Sequence, residues 1–297
     1  MNHPAPSSPF LSRALGPSFA ADRAVIAVTP RHLAGGGDPR WVTSHLMAHG
    51  WRDQSVPGYP HVLLSSPDQR FHLTLELPHP DSHETAWRFL PAEGIRHWQM
   101  AFGAWTPVEI IAGAADALAR PDGPHLSVED VWEQARANGW TEVADDRIAG
   151  LLAPPEFDGT PPTAFVLKDR IVATGPPAWA WRVHASAPRP DGSEHQSVWS
   201  ASIDDSAPPG AVAGFLSALT DPAPLYRTGD QTPYVYGKFS THTATSRTLD
   251  DLRAALGRRL TSAARPQPPT PAYPPSRPRP DTPAPLNWRH FPGAFDD

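Results

Sequence analysis

The chain has 297 residues, a formal net charge of −6 and no cysteine. That length allows one large domain or two small ones, and zero cysteine excludes disulfides, thiolate metal sites and a cysteine nucleophile. Hydrophobic residues make up 39% and prolines number 39, so the core-forming material must be concentrated in part of the chain.

Residues 1–21 contain MNHPAPSSPFLSRALGPSFA, with proline and polar residues where a signal peptide needs an unbroken apolar run, and read as a flexible N-terminus. No run of about 18 apolar residues occurs, so the expectation is a cytoplasmic protein that does not cross a membrane. The first helix is expected over Arg40–Ala48, ending before Gly50, where a left-handed C-cap suits glycine. Val62–Ser65 turns through Ser66-Pro67-Asp68-Gln69 into Phe71–Leu77. Proline and aspartate at the central turn positions fit a type I turn, and the second segment is apolar at every other place, as in a half-buried strand. Strands Ala86–Leu90 and His97–Gly103 follow. A helix over Thr106–Ala119 takes Thr106 as N-cap, Pro107 at N1 and Glu109 against the positive end of its dipole.

The same order then recurs. A helix over Val128–Ala137 has Ser127 as N-cap, Asp130 as the capping-box acid and Gly139 beyond its end. Strands are expected at Thr163–Leu167, Arg170–Thr174, Trp179–Ala185 and Val198–Ile203, and a helix at Pro208–Leu219. Leu225–Ser240 reads as a further extended or hairpin segment. Thr248–Leu260 reads as an amphipathic helix with Leu249, Leu252, Leu256 and Leu260 on one stripe. Arg265–Pro285 is proline-dense enough to block helix and sheet and should be an extended spacer. The tip beyond it carries Trp288, Phe291 and Phe295 beside Asp296 and Asp297, the chemistry of a protein-docking motif.

The recurrence is a repeat. Trp98 and Trp199 each open the pattern W-x8-P-x4-A-G-x3-A-L, through Pro107, Ala112, Gly113, Ala117 and Leu118 in one copy and Pro208, Ala213, Gly214, Ala218 and Leu219 in the other. Upstream, Trp87 in TAWRF pairs with Trp181 in WAWRV, AHGW (48–51) with ANGW (137–140), and Asp68-Gln69-Arg70 loosely with Asp169-Arg170. The expected fold is α+β: two tandem α-ββββ-α units (22–124 and 125–230), each an antiparallel sheet with a helix packed on one face. A strand and helix extension (231–262) and a disordered proline-rich tail (263–297) complete it. These anchors, with the SPD turn after an apolar strand, resemble the actinobacterial SPDY domain family, domain of unknown function 317, often duplicated within one chain. Gln69 stands where the motif has tyrosine, and the second copy lacks the Ser-Pro. The resemblance names a fold unit and implies no activity.

No nucleophile elbow or phosphate-binding loop is present, and Pro78 and Pro80 prevent a helix from aligning His79 and His83 for a metal. The expectation is a non-enzyme without cofactor or metal. The duplicated order of strands and helix resembles the layout of PUR and Whirly single-strand DNA-binding proteins, an analogy of fold alone. Trp87, Phe89, Trp98, Phe102, Trp179, Trp181 and Trp199 are candidates to stack bases, with core packing as the competing role. Arg70, Arg88, Arg96, Arg170 and Arg182 interleave with them, and Arg253, Arg258 and Arg259 on the last helix could extend a basic rim. Alternation sets Arg88 opposite Trp87 and Phe89, and Arg182 opposite Trp179 and Trp181. Against this, residues 1–220 carry 15 basic and 24 acidic side chains, and phosphates demand local positive charge. On element order and the interleaving of arginine with tryptophan, nucleic acid (single-stranded or distorted DNA) bound through the open sheet faces is nonetheless the first expected partner. A protein partner, bound through a sheet face or the tail, is the alternative.

Overall fold

The computed structural model describes residues 24–59, 61–76, 85–92, 97–144, 148–155, 163–171, 178–188, 195–228 and 239–264. The N-terminal segment 1–21, Arg96 and the tail with Trp288, Phe291 and Phe295 lie outside the described residues. The first half runs β1 (Val25–Thr29), α1 (Arg40–Ala48), β2 (Arg52–Asp53), β3 (His61–Ser65), β4 (Phe71–Glu76), β5 (Thr85–Pro91), β6 (Met100–Gly103) and α2 (Val108–Ala119). The second runs α3 (Val128–Ala137), β7 (Thr141–Ala144), β8 (Ile148–Leu152), β9 (Ala164–Ile171), β10 (Ala178–Pro188), β11 (His195–Asp204) and α4 (Pro209–Thr220). β12 (Leu225–Thr228), β13 (Thr241–Ala244) and α5 (Leu249–Ala263) follow.

The α+β class holds, but the expected pair of four-stranded sheets is one antiparallel sheet of ten strands, ordered β2-β3-β4-β5-β6-β11-β10-β9-β8-β7. Each half contributes five strands and joins the other edge to edge. Joining them satisfies the unpaired backbone groups that two separate sheets would expose at β6 and β11. The junction register has its own symmetry. Ala101 pairs with Ser202, and on either side Met100 pairs with Ile203 and Phe102 with Ala201. Ala101 and Ser202 occupy the same place in the two copies, counted from Trp98 and Trp199, so a pseudo-twofold axis passes between them. This is the geometry of an isologous dimer interface made within one chain. A second, three-stranded sheet, β12-β1-β13, ties the start of the chain to the segment after α4.

The second copy differs from its sequence reading in one respect. Thr163–Leu167 and Arg170–Thr174 are not two strands, because β9 runs unbroken through Lys168 and Asp169. Charges that read as a turn sit within a strand: the Lys168 ammonium lies 5.0 Å from the centre of the Trp181 ring and 3.1 Å from Asp205. The counterpart of β3 is β8, further upstream, which pairs with β9 as β3 pairs with β4.

Helix ends follow the local chemistry in most places. Gly50 and Gly139 have φ of 84° and 89°, and Trp51 and Trp140 donate back to the Leu46 and Ala135 carbonyls, closing both helices as Schellman motifs. Ser127 and Asp130 form the expected capping box. Thr106 does not cap α2, however. Pro107 takes the N-cap position, and the buried Thr106 hydroxyl has no hydrogen-bond partner among the described residues. The first free amide, that of Val108, is satisfied instead by the Gly36 carbonyl at 2.8 Å, so a glycine loop does what a side chain was expected to do. In the SPDQ turn the Gln69 amide donates to the Ser66 carbonyl at 2.9 Å, and Gln69 itself has φ 57°. The Ser66 hydroxyl donates to Asp68 at 2.6 Å and accepts from the Phe71 amide at 3.0 Å. Serine, proline and aspartate thus build a type I turn followed by a left-handed residue, within a four-residue connection closed by the Ser66 amide donating to the Phe71 carbonyl at 2.9 Å.

One face of the sheet carries the core, a single cluster spanning both halves. Phe102 on β6 meets Phe215 on α4 with ring centres 5.1 Å apart, and Trp181 on β10 meets Trp132 on α3 at 5.8 Å. Trp199 is fully buried and its indole donates to the His32 carbonyl at 2.7 Å. The His32 ring is buried too, with Nε2 2.7 Å from the Thr163 hydroxyl, and burial pushes its pKa down to about 3. Below pH 6.5 the unfolded chain therefore takes up a proton that the folded chain refuses. Stability is full above that pH and falls as pH drops, by up to ~1.4 kcal/mol per unit, until the folded pKa is reached. Urea midpoints between pH 7.5 and pH 4.5 should fall by the equivalent of about 2–3 kcal/mol for this group. His32→Gln should flatten that part of the slope by one proton, and an unchanged slope would refute the assignment.

Candidate binding surface on the open face of the sheet

Strand alternation sends every second side chain away from the helices. On β5, Trp87 and Phe89 are buried while Arg88 between them is partly exposed. On β10, Trp181 and Val183 are buried while Arg182 is exposed. The pairing puts these arginines in one cross-strand row: Thr74, Arg88, Ala101, Ser202, Arg182, Leu167. Arg88 and Arg182 stand at equivalent places on either side of the pseudo-twofold axis, three strand spacings apart, or about 14 Å. Between them the floor is low, because Ala101, Ser202 and the neighbouring Ser200 are small. In the next row Phe165 and His184 stack, with ring centres 5.2 Å apart and planes 29° apart. Carboxylates border the same face. Glu76 lies 3.5 Å from Arg88, and Asp204 accepts from the Gln99 amide at 2.9 Å.

Among the described residues, the candidate tryptophans are not on this face. Trp87, Phe89, Trp98, Phe102, Trp181 and Trp199 are all buried in the core, and the side chain of Trp179 lies outside the described residues. Core packing therefore accounts for every placed candidate for base stacking. Of the arginines, Arg70 is exposed at the SPDQ turn, its guanidinium 5.4 Å from the centre of the Phe71 ring. The Arg170 side chain lies outside the described residues, as Arg96 does.

The arginines of α5 do not form one rim. Arg259 turns inward, grips Asp116 of α2 with both terminal nitrogens and donates to the Trp41 carbonyl at 3.0 Å. Asp116 also lies 2.9 Å from Nε2 of His45. Burial alone would raise the Asp116 carboxyl, but these two partners outweigh it and hold the carboxyl below its ordinary value. Arg253 faces the exposed Asp250 one turn away at 2.8 Å, and Arg258 is exposed.

Sequence reasoning missed Arg227. It is 1% exposed on β12 and holds both oxygens of Glu109 at 2.7 Å. It also donates to the carbonyls of Ala34, Gly35 and Tyr226. No sequence motif marks it, because its partners are up to 193 residues away. Among the described residues no group of three His, Asp or Glu side chains is placed to hold a metal ion, and no helix is long and apolar enough to cross a membrane.

No curated protein and no solved structure matches the chain. A family model does, twice, and each matched segment runs through the meander strands into the helix that crosses the pseudo-twofold axis. The chain carries the SPDY domain, a domain of unknown function (DUF317), over residues 65–124 and again over residues 157–225.

Proposed function

We propose that the chain is a non-catalytic binding module and that its ligand is a single-stranded nucleic acid lying across the open face of the ten-stranded sheet. The observation that carries this reading is the row in which Arg88 and Arg182 flank Ala101 and Ser202. A floor of small side chains admits a chain of nucleotides, and a guanidinium on each side can fork onto a phosphate. The Phe165–His184 stack offers a π-face beside that track. With a net charge of −6 on the whole chain, attraction depends on these local groups. Binding should therefore be of modest affinity and steeply salt-dependent.

Fluorescence anisotropy with a labelled single-stranded oligonucleotide at low salt tests the reading. Binding is expected, and Arg88→Ala with Arg182→Ala should weaken it at least ten-fold. The double variant should also reduce the salt slope by about 1.4, the share of two phosphate contacts on a single strand. If no oligonucleotide binds at low salt, the nucleic-acid reading fails. A second reading, a protein adaptor using the same face, rests on Glu76 and Asp204 at its border, where a mixed-charge partner could dock. It predicts partner capture that Arg182→Ala reduces and oligonucleotide does not compete.

A further inference from the structure

Away from the sheet face, helix α5 is amphipathic but incompletely covered. Leu249, Leu252, Leu256 and Leu260 are each only half-buried, and Ala263 is the helix's one buried residue. Between its stripe and the end of β12 lies a cavity of about 210 Å³, walled by Trp41, Leu225, Tyr226, Leu249, Leu252 and Leu256. Six charged side chains also reach it: Asp38, Arg40, Glu109, Arg227, Arg247 and Arg253. Both carboxylates are already engaged. Arg40 holds both oxygens of Asp38, and Arg227 holds both oxygens of Glu109. Arg253 has the exposed Asp250. Arg247 lies over the Tyr226 ring, 3.8 Å from its centre, and makes no ion pair among the described residues. Asp251, whose carboxyl feels the Arg247 charge, is engaged by Thr248 in the capping box of α5. The recess is thus apolar along the helix and has at one end a cation with no ion-pair partner among the described residues.

We propose that this recess binds a small amphipathic carboxylate, a medium-chain fatty acid anion, with the acyl chain along Leu249, Leu252 and Leu256 and the carboxylate on Arg247. Its volume is below the roughly 300–1,000 Å³ of drug-sized sites, so the ligand is small. The leucine stripe spans two helical turns, about 10 Å, which suits a linear chain. The Arg247 guanidinium sets the sign of the head group, and its planar fork matches a carboxylate in two hydrogen bonds.

Calorimetric titration of the full chain with octanoate, hexanoate and octylamine tests the proposal. Octanoate should bind at millimolar concentration or below and raise the unfolding temperature by linkage. Hexanoate should bind more than ten-fold more weakly, since each buried methylene contributes about four-fold in affinity. Octylamine should not bind. Arg247→Gln, a change at an exposed side chain, should weaken octanoate at least five-fold. Leu252→Trp should fill the recess and abolish octanoate binding while an unchanged circular dichroism spectrum reports the fold. Octanoate that neither binds nor stabilises, octylamine that binds equally well, or an Arg247→Gln variant with unaltered affinity would each overturn it. The Arg88 and Arg182 variants should leave octanoate binding untouched, which keeps this site separable from the sheet face.

Discussion

Gly113→Ala is expected to destabilise the protein by about 3 kcal/mol, lowering the unfolding temperature by roughly 6–12 °C. The same exchange at Gly257 should raise stability by about 0.5–1 kcal/mol. Both glycines are in helices, and alanine is the better helix former, so propensity alone predicts gain at both. Packing separates them. A Cβ on Gly113 would stand 2.1 Å from the Gly214 carbonyl oxygen and 2.9 Å from the Ala218 methyl, and one on Gly214 would stand 2.3 Å from the Gly113 oxygen. A Cβ on Gly257 would meet nothing within 4 Å. Gly113 and Gly214 hold the same place in the two copies, so the pseudo-twofold axis that pierces the sheet at Ala101 and Ser202 also passes between them. Here α2 and α4 cross backbone to backbone. To admit a methyl group the helices must retreat by about 1 Å, and close-packed interiors do not yield that without loss. The paired variant Gly113→Ala with Gly214→Ala should cost less than the sum of the singles, since one retreat accommodates both methyls. Thermal unfolding of the three variants and of Gly257→Ala checks this. A Gly113→Ala protein as stable as the parent would show that the helices do not touch there.

That crossing explains why the repeat was legible at all. The pattern from Trp98 to Leu118, matched from Trp199 to Leu219, retains its offsets because strand, helix start and crossing glycine must all keep register with their own copies across one axis. Between β8 and β9 no such constraint acts, and there the spacing drifted and the alignment slipped. IAGLL is short, and Gly150 interrupts it. Its place in the sheet follows from tertiary approach, for a Cβ on Gly150 would stand 2.7 Å from the Val166 carbonyl oxygen. Lys168 and Asp169 read as a break between two strands because Asp169-Arg170 matches the Asp68-Gln69-Arg70 turn of the first copy, yet Lys168 lies within β9 against Trp181. The sheet junction was beyond local pattern too, since an edge strand and an inner strand read alike one residue at a time. On the candidate face, alternation placed Arg88 and Arg182 opposite the aromatics. That the two fall in one row across both copies needed the register of β6 against β11.

Arg227→Met is expected to cost about 3–5 kcal/mol, the loss that follows when one partner of a buried ion pair is removed. The guanidinium is at the meeting point of β12, the Ala34–Gly35 loop and the first turn of α2, and it donates to Glu109 and to three carbonyls. Methionine fills much of the volume but leaves the Glu109 carboxylate, 21% exposed, without its cation, and those carbonyls without their donor. Arg227→Lys should fare little better, because a single ammonium cannot reproduce a fork that spans two carboxylate oxygens. Glu109→Gln alone should be milder, as an amide oxygen can still accept from the guanidinium and the neighbouring carbonyls remain bonded. The informative variant is the pair, Arg227→Met with Glu109→Gln. With the stranded charge removed, the pair should be more stable than Arg227→Met alone, giving a coupling of about 1–3 kcal/mol in a double-mutant cycle by urea unfolding. If the pair is instead as unstable as the sum of the singles, the carboxylate is not what Arg227 serves, and its carbonyl bonds carry the anchorage. Either result reaches beyond this residue. The Gly36 carbonyl that caps α2 belongs to the same loop, so loosening Arg227 should also loosen the start of the helix that crosses the axis.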